Sequence, residues 1–142
     1  MRLIKEFEIS TGHRLPNHKA GCFNLHGHNY WVYIDIEFDD MQGYYGGDGF
    51  KIDFGMIKKV VNDQFDHKFI LFKDDPLVEV MKDLPGVVLV DSIPTAENLS
   101  LHIKRMLEEQ LKDSGNVKIS IGLNETKSSK IIQWVMNQQK NK

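Results

Sequence analysis

Apolar and polar residues alternate with period two in three stretches of this chain, and two other stretches carry apolar stripes of helical spacing. The sharpest alternation follows His28, where Tyr30, Val32, Ile34, Ile36 and Phe38 predict a strand with one buried face. Leu3, Phe7 and Ile9 define the buried set of an earlier strand, and Val117, Ile119, Ile121 and Leu123 that of a last one. Met41 to Gly49 holds four glycines and no period, which predicts an extended hairpin loop feeding a short strand, Phe50-Lys51-Ile52, that returns antiparallel. Asp53 then caps a helix with the stripe Ile57, Val60, Val61 and Phe65. Thr95, within Pro94-Thr95-Ala96-Glu97-Asn98, caps a second helix with the stripe Leu99, Ile103, Met106, Leu107 and Leu111, which Ser114-Gly115 ends. Lys73 to Leu84 is poorly periodic, and Gly86 to Val90 reads either as an edge strand or as a loop.

Chemistry concentrates between the first two strand patterns. His13 to Asn29 contains four of the six histidines and the single cysteine, Cys22. His26 and His28 share one face of a strand and can both reach one ion, while Gly27 keeps the opposite face uncrowded. His13 falls on the buried parity of the first strand and is the third candidate ligand. Three neutral imidazoles suit Zn²⁺ and leave one tetrahedral position open, as catalytic zinc requires. His18, beside Pro16 and Asn17, competes for the role but reads as a solvated loop residue or a neighbour of the site. Glu125 continues the apolar parity of the last strand. Either a partner holds it, since an isolated buried carboxylate is costly, or the strand ends at Leu123 and Glu125 meets solvent.

At 142 residues, the chain reads as one domain over 1–142 with an ordinary soluble composition. A net charge of -2 with interspersed signs argues against nucleic-acid binding. The chain holds no apolar run near the ~20 residues that span a bilayer and no signal-like N-terminus, so a cytoplasmic protein without membrane contact is expected. One cysteine forms no internal disulfide, which agrees with a reducing compartment.

Taken in order, His13, Cys22 before His26-Gly27-His28, Asp53-Phe54, Asp66-His67, Pro94-Thr95-Ala96-Glu97-Asn98 and Glu125-Thr126 resemble the motifs of the 6-pyruvoyltetrahydropterin synthase family. The short interval between Cys22 and His26 is similar to its bacterial 6-carboxy-5,6,7,8-tetrahydropterin synthases of the 7-deazaguanine (preQ0 and queuosine) pathway. The resemblance implies an α+β tunnelling fold, a four-stranded antiparallel sheet with two helices on one face. It also implies a homo-oligomer, hexamer or tetramer, whose sheets join into barrels with active sites between subunits.

The implied reaction is a lyase conversion of 7,8-dihydroneopterin triphosphate to 6-carboxy-5,6,7,8-tetrahydropterin, with release of acetaldehyde and triphosphate and no redox cofactor. Zinc on His13, His26 and His28 would polarise substrate oxygens, Cys22 would be the general base, and His67, oriented by Asp66, would shuttle a second proton. For Asp66-His67 the alternative is a polar helix terminus. Glu125 would accept hydrogen bonds from the pterin's amino-pyrimidinone edge, assisted by Thr126, Glu97 and Thr95. Glu97 reads equally as a first-turn acid that complements the helix dipole. Phe65, the run Phe69-Ile70-Leu71-Phe72 and the glycine-rich loop depart from the family pattern. Arg14, Lys19 and Lys68 are scattered cations without a clear phosphate cluster. The competing activities are the pyruvoyl-forming reaction, a zinc hydrolase and a non-catalytic pterin-binding protein.

Overall fold

Two long strands, β1 (Arg2–His13) and β2 (His26–Phe38), run antiparallel in unbroken register from Arg2 opposite Glu37 to His13 opposite His26. Their alternation puts Leu3, Phe7, Ile9, Tyr30, Val32, Ile34 and Ile36 on one buried face, as the period-two pattern predicts. The computed structural model describes residues 1–39 and 48–134. Most of the glycine-rich stretch read as a hairpin loop, residues 40–47, lies outside the described residues.

After β2 come helix α1 (Phe54–Phe65), strand β3 (Lys68–Phe72), a single helical turn α2 (Val78–Met81) and strand β4 (Val87–Val90). Helix α3 (Ala96–Gln110) and strands β5 (Val117–Asn124) and β6 (Lys130–Gln133) complete the described chain. The sheet order is β4-β3-β1-β2-β5-β6. Strands β1, β2, β5 and β6 form the antiparallel part, and β3 and β4 add to it in parallel. The architecture is the expected α+β class, but the sheet has six strands rather than four.

Each difference from the sequence reading has a physical reason. Residues 50–52 form no strand, because both edges of β2 are already taken by β1 and β5; Ile52 nevertheless buries its side chain. The run Phe69-Ile70-Leu71-Phe72, which departs from the family pattern, lies in β3. Its neighbours Ile70 and Leu71 are both fully buried, so a strand covered on both faces shows no alternation. Gly86 to Val90 resolves as the edge strand β4, which pairs with β3.

The helices follow their predicted caps and stripes. Asp53 accepts from the Gly55 N–H at 2.7 Å, and Ile57, Val61 and Phe65 are buried. Thr95 accepts from the Asn98 N–H at 3.3 Å, with Leu99, Ile103 and Leu107 buried. Helix α3 stops at Gln110, before Ser114-Gly115, because Leu111 turns into the core as its C-cap and Gly115 reverses the chain at φ +82°. Both helices and the inward faces of the strands share one hydrophobic core, in which each fully buried Ile or Phe contributes ~1.5–3 kcal/mol. No described helix is long and apolar enough to cross a membrane.

Candidate active site

The last residue of β1 and the first of β2 are opposite each other, and both are histidines. His28 lies two residues along β2 on the same face, so the register alone gathers three imidazoles at one end of the strand pair. One ligand nitrogen from each of His13, His26 and His28 lies within 4.8 Å of the others. The ring centroids are 4.6, 5.3 and 5.0 Å apart. Gly27 is demanded by this pairing, because a Cβ there would stand 2.9 Å from the Thr11 carbonyl oxygen.

Hydrogen bonds select the tautomers. His13 Nδ1 is 2.7 Å from the Pro94 carbonyl and His26 Nδ1 is 2.8 Å from the Asn24 carbonyl. A carbonyl oxygen only accepts, so both Nδ1 atoms carry the proton and both Nε2 atoms present lone pairs, the usual support for a metal-binding imidazole. The buried Nε2 atoms of His26 and His28 have no hydrogen-bond partner. Burial pushes the His13 pKa down, the neighbouring His26 and His28 push the same way, and the Pro94 hydrogen bond opposes them. His13 is therefore held in the neutral, ligating form. These residues fit a metal cation that takes imidazole ligands.

Glu125 follows β5 directly and turns toward the same cluster. Its Oε1 is 3.5 Å from His28 Nε2, close but not a hydrogen bond, and its Oε2 accepts from the Tyr30 hydroxyl at 3.3 Å. The carboxylate is thus held by a partner while a quarter of its side chain stays exposed, which resolves the two readings of its parity. Burial first, then the Glu125 charge, pushes the Tyr30 pKa well up, so its hydroxyl remains a donor. Beside Glu125 is a cavity of about 260 Å³ lined by Leu15, Thr95, Glu97, Lys130 and Ile131 among others, near the lower end for small-ligand sites.

Three of the four residues read as substrate contacts, Glu125, Glu97 and Thr95, therefore meet at one cavity. Thr126 does not line it. Its hydroxyl instead accepts from the N–H groups of Ser128 and Ser129 and closes the β5–β6 turn. Thr95 also caps α3, so that helix start both lines the cavity and, through Pro94, steadies His13.

Cys22 is half-buried in a 3-10 turn, Gly21–Phe23, and its carbonyl accepts from the Leu15 N–H at 2.8 Å. Asp66 caps the C-terminus of α1, where the helix dipole disfavours a carboxylate. Burial pushes its pKa up, but the Ser10 N–H at 2.9 Å and His67 Nδ1 at 3.1 Å outweigh this and hold it below the usual range. His67 adopts a left-handed φ of +56°, uncommon for a non-glycine residue, and its side chain is 83% exposed. It lines a groove on the sheet with Gly12, Gly27 and His28. The described structure thus keeps the Asp66–His67 pair together but turns the imidazole outward, away from the Glu125 cavity.

His18 stays in the loop, where its Nδ1 accepts from the Ala20 N–H, and it does not join the imidazole cluster. Arg14, counted among possible phosphate contacts, is instead buried, with Nε 2.7 Å from Asp75 Oδ2. Sequence reasoning missed Tyr30 and Pro94. Tyr30 looked like one more core position of its strand, and a carbonyl oxygen leaves no mark in residue identity.

A family model described as 6-pyruvoyl tetrahydropterin synthase matches residues 2–134. A Halobacterium salinarum protein named "Probable 6-carboxy-5,6,7,8-tetrahydropterin synthase" is 34% identical over 125 residues, covering 86% of this chain and 79% of that protein. The 6-carboxy-5,6,7,8-tetrahydropterin synthase of Rickettsia conorii is 32% identical over 134 residues, covering 89% and 94%. Among solved structures, an uncharacterized protein from Wolinella succinogenes superposes with a TM-score of 0.73 at 22% identity, covering 97% and 98%. The 6-pyruvoyl tetrahydropterin synthase of Plasmodium vivax does so at 0.63 and 22%, covering 93% and 95%. These two structures share the fold of this chain, and the sequence matches carry the kinship: the chain belongs to the 6-pyruvoyl tetrahydropterin synthase family.

Proposed function

We propose that this protein is a lyase that converts 7,8-dihydroneopterin triphosphate to 6-carboxy-5,6,7,8-tetrahydropterin, releasing acetaldehyde and triphosphate, in 7-deazaguanine biosynthesis. The observation that carries the reading is the junction of three imidazoles, two with unpartnered buried nitrogens, with a carboxylate that borders a ligand-sized cavity. The names borne by relatives at 34% and 32% identity support the carboxy-forming branch.

His13, His26 and His28 would hold zinc, which when bound supplies a Lewis acid at the substrate's side-chain oxygens. Glu125 accepts the N–H groups of the pterin edge, with Tyr30 fixing its second oxygen. Thr95 and Glu97 shape the cavity wall. Cys22 takes a proton as the thiolate, and His67, oriented by Asp66, moves the second.

The outward-facing His67 suits a site shared between subunits of a homo-oligomer, a hexamer or a tetramer. Exposed Leu89 on edge strand β4 and exposed Ile132 on edge strand β6 support such joining, since uncovered apolar edges invite pairing. Residues 1–142 act as one domain, and a reducing cytoplasm keeps Cys22 free.

The direct test incubates zinc-loaded protein with 7,8-dihydroneopterin triphosphate and follows pterin mass together with acetaldehyde. A carboxylated tetrahydropterin with stoichiometric acetaldehyde is expected. A pyruvoyl product would move the enzyme to the sister activity, and pterin binding without turnover would leave a binding protein.

A further inference from the structure

The loop that carries Cys22 is closed by its own turn hydrogen bonds but has no buried side chain in its 3-10 turn to anchor it. That turn has no side-chain cap and exposes 45% of Phe23. Two ties join it to the end of β1. One is the Leu15 N–H donating to the Cys22 carbonyl. The other is Arg14, whose guanidinium carbon stands 4.5 Å from the centroid of the Phe23 ring.

Arg14 is itself anchored. Its Nε donates to Asp75 Oδ2 at 2.7 Å, with the two side chains 10% and 0% exposed. Asp75 in turn accepts from the Leu77 N–H at 2.8 Å, which ties the pair to the segment after β3. A planar guanidinium can donate along its edge while its face covers an aromatic ring, which an ammonium group cannot do equally well. Arg14 also directly follows His13, so one side chain links the end of the imidazole cluster, the residue after Cys22 and a buried carboxylate.

We propose that Arg14, clamped by Asp75, is a positioning residue that fixes the Cys22 turn against the active site by stacking on Phe23. The inference rests on Cys22 being the base of the proposed reaction, and its test separates the two. Phe23→Leu removes the ring at an exposed position and spares the buried pair. Arg14→Lys keeps the charge and loses the planar face.

In zinc-loaded protein, both variants should lower kcat on the order of ten- to a hundredfold, the scale of a small misplacement of a reacting group. KM and zinc content should stay near wild type, and Cys22 should be alkylated faster by iodoacetamide. Phe23→Leu should also melt at the wild-type temperature, which a purely structural role would not combine with a fall in kcat. Unchanged alkylation in Phe23→Leu, with or without a change in kcat, overturns the proposal. Faster alkylation with unchanged kcat upholds the positioning and removes Cys22 as the base, an outcome that full turnover by Cys22→Ala would show independently.

Discussion

Tyr30→Phe removes one oxygen from the centre of the site and leaves the packing almost intact, because the ring that fills the fully buried position remains. The lost hydroxyl donates to Glu125 Oε2 at 3.3 Å and lies 3.3 and 3.4 Å from the two nitrogens of His13. A hydrogen bond to a charged acceptor contributes ~1.5–3 kcal/mol. This one is longer than the usual O–H···O range, and water can reach the carboxylate, whose side chain is 25% exposed, so about 1 kcal/mol is expected. At 1.4 kcal/mol per tenfold, pterin affinity should fall roughly fivefold. The assay is fluorescence titration of zinc-loaded protein with 6-carboxypterin, alongside metal analysis, for wild type, Tyr30→Phe, Glu125→Gln and the double variant. Because the hydroxyl acts through Glu125, its effect should nearly vanish in the Glu125→Gln background. Full additivity in that cycle, or loss of zinc from Tyr30→Phe, would refute the reasoning.

Removing one candidate ligand gives a second expectation: His26→Ala should bind zinc far more weakly than wild type while keeping its fold, read by metal content after dialysis and by circular dichroism. A variant that retains stoichiometric zinc would dissociate the cluster from metal binding. Phe65 is 1% exposed and meets the His102 ring edge-on at 5.5 Å, so Phe65→Ala should cost ~3–5 kcal/mol and lower Tm by about 10 °C. A shift under about 3 °C would show that the site collapses around the missing ring. His102 has a pKa pushed down by burial and by Arg105, with Asp91 opposing. Above about 6.5 it is neutral in both folded and unfolded chains, and as pH falls below that value the unfolded chain takes up the proton first, so stability drops. Melting curves from pH 7.5 to 5 should therefore fall less steeply for His102→Gln than for wild type, and parallel curves would contradict the assignment.

Much of the candidate site was legible because side-chain direction in a strand is a local property. His13, His26 and His28 could be assigned to the buried parity of their strands without knowing the fold, and the structure gathers all three; for Glu125 parity left two readings open, and only the fold shows it reaching the cluster from just beyond β5. Helices α1 and α3 were legible for the same reason, since their caps and stripes are set by residues three and four positions apart.

Tertiary structure alone decided which of these local elements became neighbours. It made Phe69 to Phe72 a parallel strand hidden by burial on both faces, and denied residues 50–52 a strand by filling both edges of β2. It brought the Pro94 carbonyl to His13 across 81 residues, spent Arg14 on Asp75 rather than on solvent, and turned His67 outward. Periodicity tells each side chain which way to face, because that depends on adjacent backbone; the group it meets there depends on packing between distant segments, which no local pattern encodes.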